Sequence, residues 1–283
     1  MKPTPRRNAR GKENGMTDIQ TKPVTRAALI TGASSGMGRE FARRLAGLGE
    51  CDELFLVARR GEEMEKLAAE LGVPARVVCA DLATSEGLAT LKAALDEAKP
   101  ALSWVICAAG FGVFGRFDEV SDEDVFKMID LNVKGAVAVT RMAIPYTVRG
   151  GHIVELGSGS VFCPLPNFNI YASSKAFILH FSRALREELK HLGISCTVFC
   201  PGWVDTAFFS VADKEGDDVH KPPIKKRKPL LEADRCVRGA VRAAKRGRAL
   251  YTTNWYTKLE HLLSKLLPAS WLIAGWKSMQ NKE

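Results

Sequence analysis

Residues 26–38 read RAALITGASSGMG, an apolar run followed at once by a turn that contains three glycines. The run, over about residues 26–31, is too short for a helix and predicts a buried strand. An amphipathic pattern from about residue 37 predicts a helix directly after the turn. Glycines are needed there because a Cβ would obstruct the turn, and the first amides of the helix can hold a pyrophosphate. The stretch therefore predicts a dinucleotide-binding α/β fold.

The same alternation of short apolar runs and amphipathic segments continues along the chain. Further strands are predicted at about 53–58, 75–80, 103–107, 151–157, 194–200 and 248–252. Helices are predicted at about 37–48, 62–71, 84–98, 122–147, 170–191 and 232–246. This order predicts a Rossmann-type, doubly wound parallel sheet of about seven strands with helices on both faces. We expect a single domain over residues 24–253, because no internal repeat or long linker divides the series.

Charge and cysteine content limit the possible partners and compartments. The chain has 41 Lys and Arg against 32 Asp and Glu, a net charge of +9 that suits phosphates, nucleic acid or an anionic membrane. Its seven cysteines have no paired spacing and no apolar signal stretch accompanies them, so we expect a reducing, cytoplasmic location. Cys196 and Cys200 lie in an apolar strand without a His or Cys cluster, so no metal site is predicted.

Three segments depart from the alternation. Residues 1–23 are basic and rich in Gly, Pro and Asn, which predicts a disordered tail in which Met16 is an alternative start. Residues 206–231 are charged and irregular, which predicts a mobile lid beside the site. Residues 254–283 predict an amphipathic helical extension, too short and interrupted to span a bilayer. It suits a helix on a membrane surface or over the substrate entrance, and packing on the domain or a second subunit is an equal alternative.

The end of the second predicted strand distinguishes between two nicotinamide cofactors. A carboxylate at that position would bond the ribose 2′-hydroxyl, whereas an arginine would pair with a 2′-phosphate. The sequence there is Val57-Ala58-Arg59-Arg60. It predicts NADP(H), with Arg59 as a phosphate ligand, and two solvated surface arginines are the alternative.

Tyr171 and Lys175 stand four residues apart on a predicted helix and therefore share a face. A phenol ionises near pH 10, and a neighbouring ammonium favours the phenolate. The pair is predicted to donate and accept protons near neutral pH, with Ser158 upstream as a second polar group. An exposed helix pair that arises by chance, and a serine that serves only a turn, are the alternatives.

With these motifs in order, the chain resembles the short-chain dehydrogenase/reductase family over about residues 26–252. The resemblance implies hydride transfer between a nicotinamide and a carbonyl carbon. It implies that Tyr171 exchanges a proton with the substrate oxygen, Ser158 stabilises that oxygen and Lys175 holds the cofactor ribose. Asn132 would hold a water that links the proton path to solvent.

The resemblance also implies a cofactor site and exposes one departure. Where the family commonly has Asn-Asn-Ala-Gly, this chain has Cys107-Ala108-Ala109-Gly110, which leaves the bracing of the sheet there in question. The implied cofactor residues are Gly32, Ser34, Ser35, Gly36, Met37, Gly38, Arg59, Asp81, Leu82, Ala109, Gly110, Tyr171, Lys175, Pro201, Gly202, Val204 and Thr206.

By position in the family, the resemblance implies that the substrate walls lie after Ser158 and after the Pro201-Gly202 turn. Their content predicts an apolar carbonyl compound or secondary alcohol, whether acyl, steroid-like or aromatic. The same residues would also suit an ordinary core. The predicted substrate residues are Ser158, Phe162, Cys163, Pro164, Leu165, Tyr171, Phe208 and Phe209.

Rival functions have weaker support in the sequence. His152 has no nucleophile-elbow serine near it, so a hydrolase is not predicted. The basic run 225–228 has no interleaved aromatic platform, so no nucleic-acid partner is predicted. An NADP-binding regulatory or membrane-associated protein without turnover would not need the proton-relay residues, and it remains the alternative. The family resemblance further implies a homodimer or homotetramer.

Overall fold

A computed structural model describes residues 25–206, 208, 212 and 230–280. The predicted tail 1–23, most of the segment 206–231, and Phe209 lie outside the described residues. The strands are β1 (Arg26–Thr31), β2 (Glu53–Ala58), β3 (Ala75–Cys79), β4 (Ala101–Cys107), β5 (Thr147–Leu156), β6 (Ser195–Cys200) and β7 (Leu250–Thr252). The helices are α1 (Gly36–Ala46), α2 (Gly61–Glu70), α3 (Ser85–Ala98), α4 (Asp122–Ile129), a π turn (Asp130–Gly135), α5 (Ala136–Ala143), α6 (Asn169–Glu188), α7 (Ala233–Lys245), α8 (Trp255–Leu266) and α9 (Ala269–Met279).

All seven strands join one parallel sheet in the order β3-β2-β1-β4-β5-β6-β7. Phe41 and Val237 belong to the apolar core that includes α1, α2 and α7. Leu91 and Leu185 belong to a second core that includes α3, α5 and α6. The predicted doubly wound sheet is therefore confirmed. Its strand order reverses between β1 and β4, which places a crevice at the carboxyl ends of those strands.

The helix predicted over 122–147 is wrong at its C-terminal end. The helix stops at Ala143, and β5 begins at Thr147, four residues before the predicted strand. Pro145 explains the stop, because proline has no amide hydrogen and its ring clashes with the carbonyl four residues earlier. The helix also contains the π turn, which apolar periodicity does not reveal.

The chain after β7 folds back as two helices. On α9, Trp276 is buried, and its Nε1 donates a hydrogen bond to the carbonyl oxygen of Pro166 at 3.0 Å. Gln280 donates to the same oxygen at 2.9 Å. Within the described ranges, no helix combines the length and the apolar content that a bilayer crossing requires. The extension therefore anchors beside the segment that leads into α6.

Candidate active site

The turn between β1 and α1 can be built only with glycine at two positions. A Cβ at Gly38 would lie 2.3 Å from the carbonyl oxygen of Gly32, far inside contact distance. Gly32 itself has φ of +68°, and a Cβ there would lie 2.9 Å from the amide nitrogen of Ala109. Ser35, at the N-cap of α1, makes no side-chain capping bond. The turn thus offers bare backbone at a helix N-terminus, which suits a pyrophosphate.

Thr31 joins the ends of the two strands at the crevice. Its hydroxyl accepts hydrogen bonds from the amides of Ala108 at 3.0 Å and Ala109 at 3.1 Å. A Cβ added at the next residue, Gly110, would lie 3.1 Å from Nζ of Lys175. The predicted cofactor residues after β4 therefore lie between the glycine turn and the predicted catalytic lysine.

Two arginines, Arg60 and Arg39, form hydrogen bonds with the glycine turn. Only Arg60 belongs to the stretch, residues 57–60, that predicts a phosphate ligand. Arg60 donates to Oγ of Ser34 through Nε at 3.3 Å and Nη2 at 3.1 Å. Arg39 donates to the carbonyl oxygen of Ser34 at 2.5 Å and pairs with Glu63 at 2.9 Å. Nε of Arg39 is buried without a hydrogen-bond partner among the described residues. Both guanidinium groups thus lie at the turn where a cofactor phosphate would bind.

Arg59, the predicted phosphate ligand, lies beside Asp81. Its Nη1 is 3.8 Å from Oδ2 of Asp81, and its side chain is 59% exposed. Oδ1 of Asp81 accepts a hydrogen bond from the amide of Ala83 at 3.1 Å. Leu82 is buried. The prediction of Arg59 rather than Arg60 rests on sequence position alone. Sequence position does not determine which of the two side chains faces the turn, because the direction of a side chain after a strand depends on the local backbone.

Tyr171 and Ser158 line the same cavity, one from α6 and one from the end of β5. The phenol of Tyr171 is 7% exposed and stacks on Phe168, with ring centroids 4.5 Å apart. Burial raises the pKa of Tyr171 to about 12, and a hydrogen bond with Ser158 acts against that rise. The phenol is therefore protonated at neutral pH.

Lys175 is buried one helical turn away. Its Nζ lies 5.9 Å from the centroid of the Tyr171 ring and donates a hydrogen bond to the carbonyl oxygen of Leu156 at 2.8 Å. Burial lowers the pKa of Lys175 to about 8, and the carboxylate of Glu155 acts against that fall. The expected shift of the Tyr171 pKa toward the phenolate is therefore wrong for this structure, because loss of solvation outweighs the hydrogen bond with Ser158, which is the one cause that lowers this pKa.

Asn132 lies in the π turn and braces the loop that follows β4. Its Oδ1 accepts from the amide of Phe111 at 3.0 Å, and its Nδ2 donates to the Phe111 carbonyl at 2.8 Å. Nδ2 also donates to Oγ of Ser174 at 3.1 Å. The side chain therefore ties that loop to α6, next to Lys175. Its role in holding a water stays a prediction.

A buried carboxylate that sequence reasoning did not single out lies behind this pair. Glu155 on β5 is the register partner of Cys107 on β4, and its Oε1 accepts a hydrogen bond from Thr140 at 2.5 Å. Burial raises the pKa of Glu155 to about 7, while Thr140, Cys107 and Lys175 act against that rise. Cys107 occupies a position where the family commonly has asparagine. Here the contact with Thr140 and Glu155 connects the strands at that place.

One cavity of about 540 Å³ joins the predicted substrate and cofactor positions. The described residues of the prediction that do not line it are Gly32, Ser34, Ser35, Gly36, Gly38, Arg59, Asp81, Leu82, Ala109, Gly110, Asn132, Pro164 and Lys175. The predicted residues that do are Met37, Ser158, Phe162, Cys163, Leu165, Tyr171, Pro201, Gly202, Val204, Thr206 and Phe208.

The C-terminal helices complete the cavity wall, which sequence reasoning left open. The ring of His261 on α8 stacks on Phe162 at 4.6 Å between centroids. The helical spacing of residues 255–267 was a signal, but spacing alone does not say what a helix faces. The wall residues from this extension include Tyr256, Leu259, Glu260, Leu263, Trp271 and Trp276.

The fold and this site together define a dinucleotide-dependent oxidoreductase, and comparison with known proteins agrees. Residues 26–216 match the sequence profile of the family described as short chain dehydrogenase. The chain is 36% identical over 186 residues to sulfoacetaldehyde reductase 2 of Chromohalobacter salexigens, an alignment over 64% of this chain and 73% of that protein. It is 31% identical over 238 residues to 11-beta-hydroxysteroid dehydrogenase A of Sesamum indicum, over 80% of this chain and 68% of that protein.

This chain is also similar to a solved structure in three dimensions. A short-chain dehydrogenase from Sphingobium yanoikuyae, in complex with NADPH, matches with a TM-score of 0.72 at 29% identity and covers 91% of this chain and 98% of its own. The chain belongs to the short-chain dehydrogenase/reductase family, as the motifs implied. It is an oxidoreductase that acts on alcohol and carbonyl groups with a nicotinamide cofactor.

Proposed function

We propose that this protein is an NADP(H)-dependent oxidoreductase that interconverts a carbonyl group and a secondary alcohol on a bulky apolar molecule. The observation that carries the proposal is the buried, protonated phenol of Tyr171 beside Ser158, in the wall of the 540 Å³ cavity. That wall is mostly aromatic and aliphatic, which suits an acyl, aromatic or steroid-sized substrate. The likeness to a plant steroid dehydrogenase supports the larger end of this range.

The cofactor supplies a hydride when it is bound. The glycine turn, Asp81 with Leu82, the loop of Ala109 and Gly110, and the segment 201–206 would hold it. All of these lie along the carboxyl edge of the sheet, where nucleotides bind in folds of this kind.

The chain's own groups handle the proton. Tyr171 keeps its proton until a substrate oxygen gains negative charge, and it then donates that proton; Ser158 donates a second hydrogen bond to the same oxygen. Lys175, charged below its pKa of about 8, would favour the resulting phenolate and would hold a ribose hydroxyl of the cofactor. Asn132 keeps the neighbouring loop and α6 in register.

Replacing Tyr171 by Phe tests the proton-donor role. We expect turnover to fall by about 100-fold or more, since general acid catalysis contributes factors of this size. NADPH binding, followed by fluorescence titration, should change little. Tyr146→Phe is the matched control, because Tyr146 bonds Asp96 on the surface. Turnover close to that of the wild type in Tyr171→Phe would reject the assignment.

The preference for NADP(H) is attributed to Arg60 and Arg39 at Ser34. A charge-assisted hydrogen bond to a phosphate is worth about 1.5–3 kcal/mol, or about 10–100-fold in kcat/KM. We expect Arg60→Ala to lose this factor with NADPH and to change little with NADH. Arg59→Ala should lose less. Arg43→Ala, at an exposed arginine of α1 that pairs with Glu40, is the control. A wild-type preference for NADH would overturn the assignment.

We also propose a cytoplasmic homo-oligomer. All seven cysteines are free, which suits a reducing compartment. On α4, Phe126 is 62% exposed, and on α6, Phe177 is 45% exposed. Exposed aromatic side chains on adjacent helices suit a subunit interface.

A further inference from the structure

We propose that the outer face of α8 and α9 docks on an anionic lipid bilayer and that the cavity takes its apolar substrate from that surface. The docking stands on the surface chemistry of these helices alone. The substrate step rests on the proposed function.

The outer face of α8 is an unbroken apolar stripe, formed by Trp255, Leu259, Leu262 and Leu266. These residues recur at the spacing of one helical face. Trp255 is 74% exposed, Leu262 is 52% exposed and Leu266 is 69% exposed. Large apolar side chains at helical spacing are normally turned toward a core. Here the opposite face of α8 already packs on the domain, so the stripe requires an apolar partner outside it.

The stripe continues onto α9. Trp271 is 66% exposed and Met279 is 40% exposed. Together with the α8 stripe they make up six of the twelve exposed large hydrophobic side chains among the described residues. Apolar side chains concentrated in this way mark an interaction surface rather than ordinary surface variation.

The exposed charged side chains of α8 and α9 have one sign. Lys258, Lys265 and Lys277 are exposed on the two helices. The one acidic residue of α8 and α9, Glu260, lines the cavity. Lysines beside exposed indoles and leucines are typical of helices that lie in the headgroup region of an anionic bilayer. A second copy of the chain on this face would bring these lysines together without an exposed carboxylate on the same helices, which favours the bilayer as the partner.

The surface is continuous with the cavity. Leu259, Trp271 and Met279 are exposed and also line the cavity. An apolar molecule dissolved in a bilayer at this face would therefore meet the cavity wall without crossing water. The position of the extension thus connects the membrane contact to substrate uptake.

Flotation of the full chain with phosphatidylcholine vesicles, with and without phosphatidylserine, tests the docking. The wild type should float with the vesicles that contain phosphatidylserine, and salt should weaken the binding. The double variant Leu262→Glu, Leu266→Glu should partition at least about tenfold less, since each change removes apolar area and adds a repelled charge. Phe117→Glu is the control, because Phe117 is 59% exposed and lies outside both helices.

The outcomes distinguish a bilayer from a second subunit as the partner of this face. No flotation of the wild type, or equal flotation of the double variant, would overturn the docking; the second result would assign binding to other basic segments. A smaller oligomer for the double variant, in light scattering without lipid, would make the stripe a subunit interface and would also overturn it.

Turnover assays keep the docking distinct from the proposed function. Neither Leu262 nor Leu266 lines the cavity, so the double variant should reduce a water-soluble carbonyl at the wild-type rate. With an apolar ketone supplied in phosphatidylserine vesicles, kcat/KM of the double variant should fall by about tenfold, in step with its binding. Equal kcat/KM for the two proteins in vesicles would overturn the uptake step. Failure of the wild type on every carbonyl would instead overturn the proposed function.

Discussion

Replacing Glu155 by Gln should change how the stability of the protein depends on pH. The carboxyl group is fully buried, and its Oε2 has no hydrogen-bond partner among the described residues. Burial raises its pKa from the ordinary 4.5 to about 7. Glutamine keeps the shape and a hydrogen-bond acceptor for Thr140, but it cannot ionise. The substitution therefore isolates the energetic effect of the buried charge.

The sign follows from proton binding. Because the folded pKa of Glu155 lies above its unfolded value, the folded protein binds more protons between the two. The free energy of unfolding therefore falls as pH rises through this window. A pKa difference of one corresponds to about 1.36 kcal/mol, so ionisation of Glu155 costs about 2 kcal/mol between about pH 5.5 and about pH 8. In Glu155→Gln, loss of the carboxylate also lowers the pKa of Lys175 further. This second change likewise makes the wild type less stable relative to the variant at the higher pH.

Urea unfolding of the cofactor-free protein at the two pH values provides the measurement. The informative quantity is the stability of the wild type minus that of Glu155→Gln, because titrating groups whose pKa the substitution leaves unchanged cancel in this difference. It should become about 2 kcal/mol less favourable to the wild type at the higher pH. Glu97→Gln, at a side chain that is 80% exposed, should show no such change. A difference that stays constant with pH would refute the reasoning about Glu155.

Two more substitutions probe the glycine turn and the proposed subunit interface. Gly38→Ala places a Cβ 2.3 Å from the carbonyl oxygen of Gly32, so NADPH affinity in a fluorescence titration should fall by at least about tenfold. Gly275→Ala, where nothing lies within 4 Å, should bind normally, and normal binding by Gly38→Ala would contradict the role of the turn. Phe126→Glu puts a charge on the proposed subunit interface, so light scattering should detect a smaller assembly than the wild type. An unchanged mass would exclude α4 from the interface.

The sheet and the positions of the main motifs could be predicted from the order of residues. Short apolar runs and amphipathic spacing are local properties, and so the bounds of β1, β2 and β6 agree closely with prediction. The turn that contains Gly38 could also be predicted, because the spacing of its glycines between a strand and a helix is a local requirement. The end of α5 differs from the prediction because helical periodicity takes no account of Pro145.

The way in which buried charges and distant segments meet could be seen only in the folded chain. Arg60 rather than Arg59 contacts Ser34 because backbone direction after β2 sets which guanidinium faces the turn. Tyr171 keeps its proton because burial raises its pKa, and burial is not visible in a spacing of four residues. The helices after β7 complete the cavity and present an apolar stripe to solvent, since a helical pattern defines a face but not its partner. Solvation and long-range packing depend on the whole fold, whereas periodicity depends on a few neighbours.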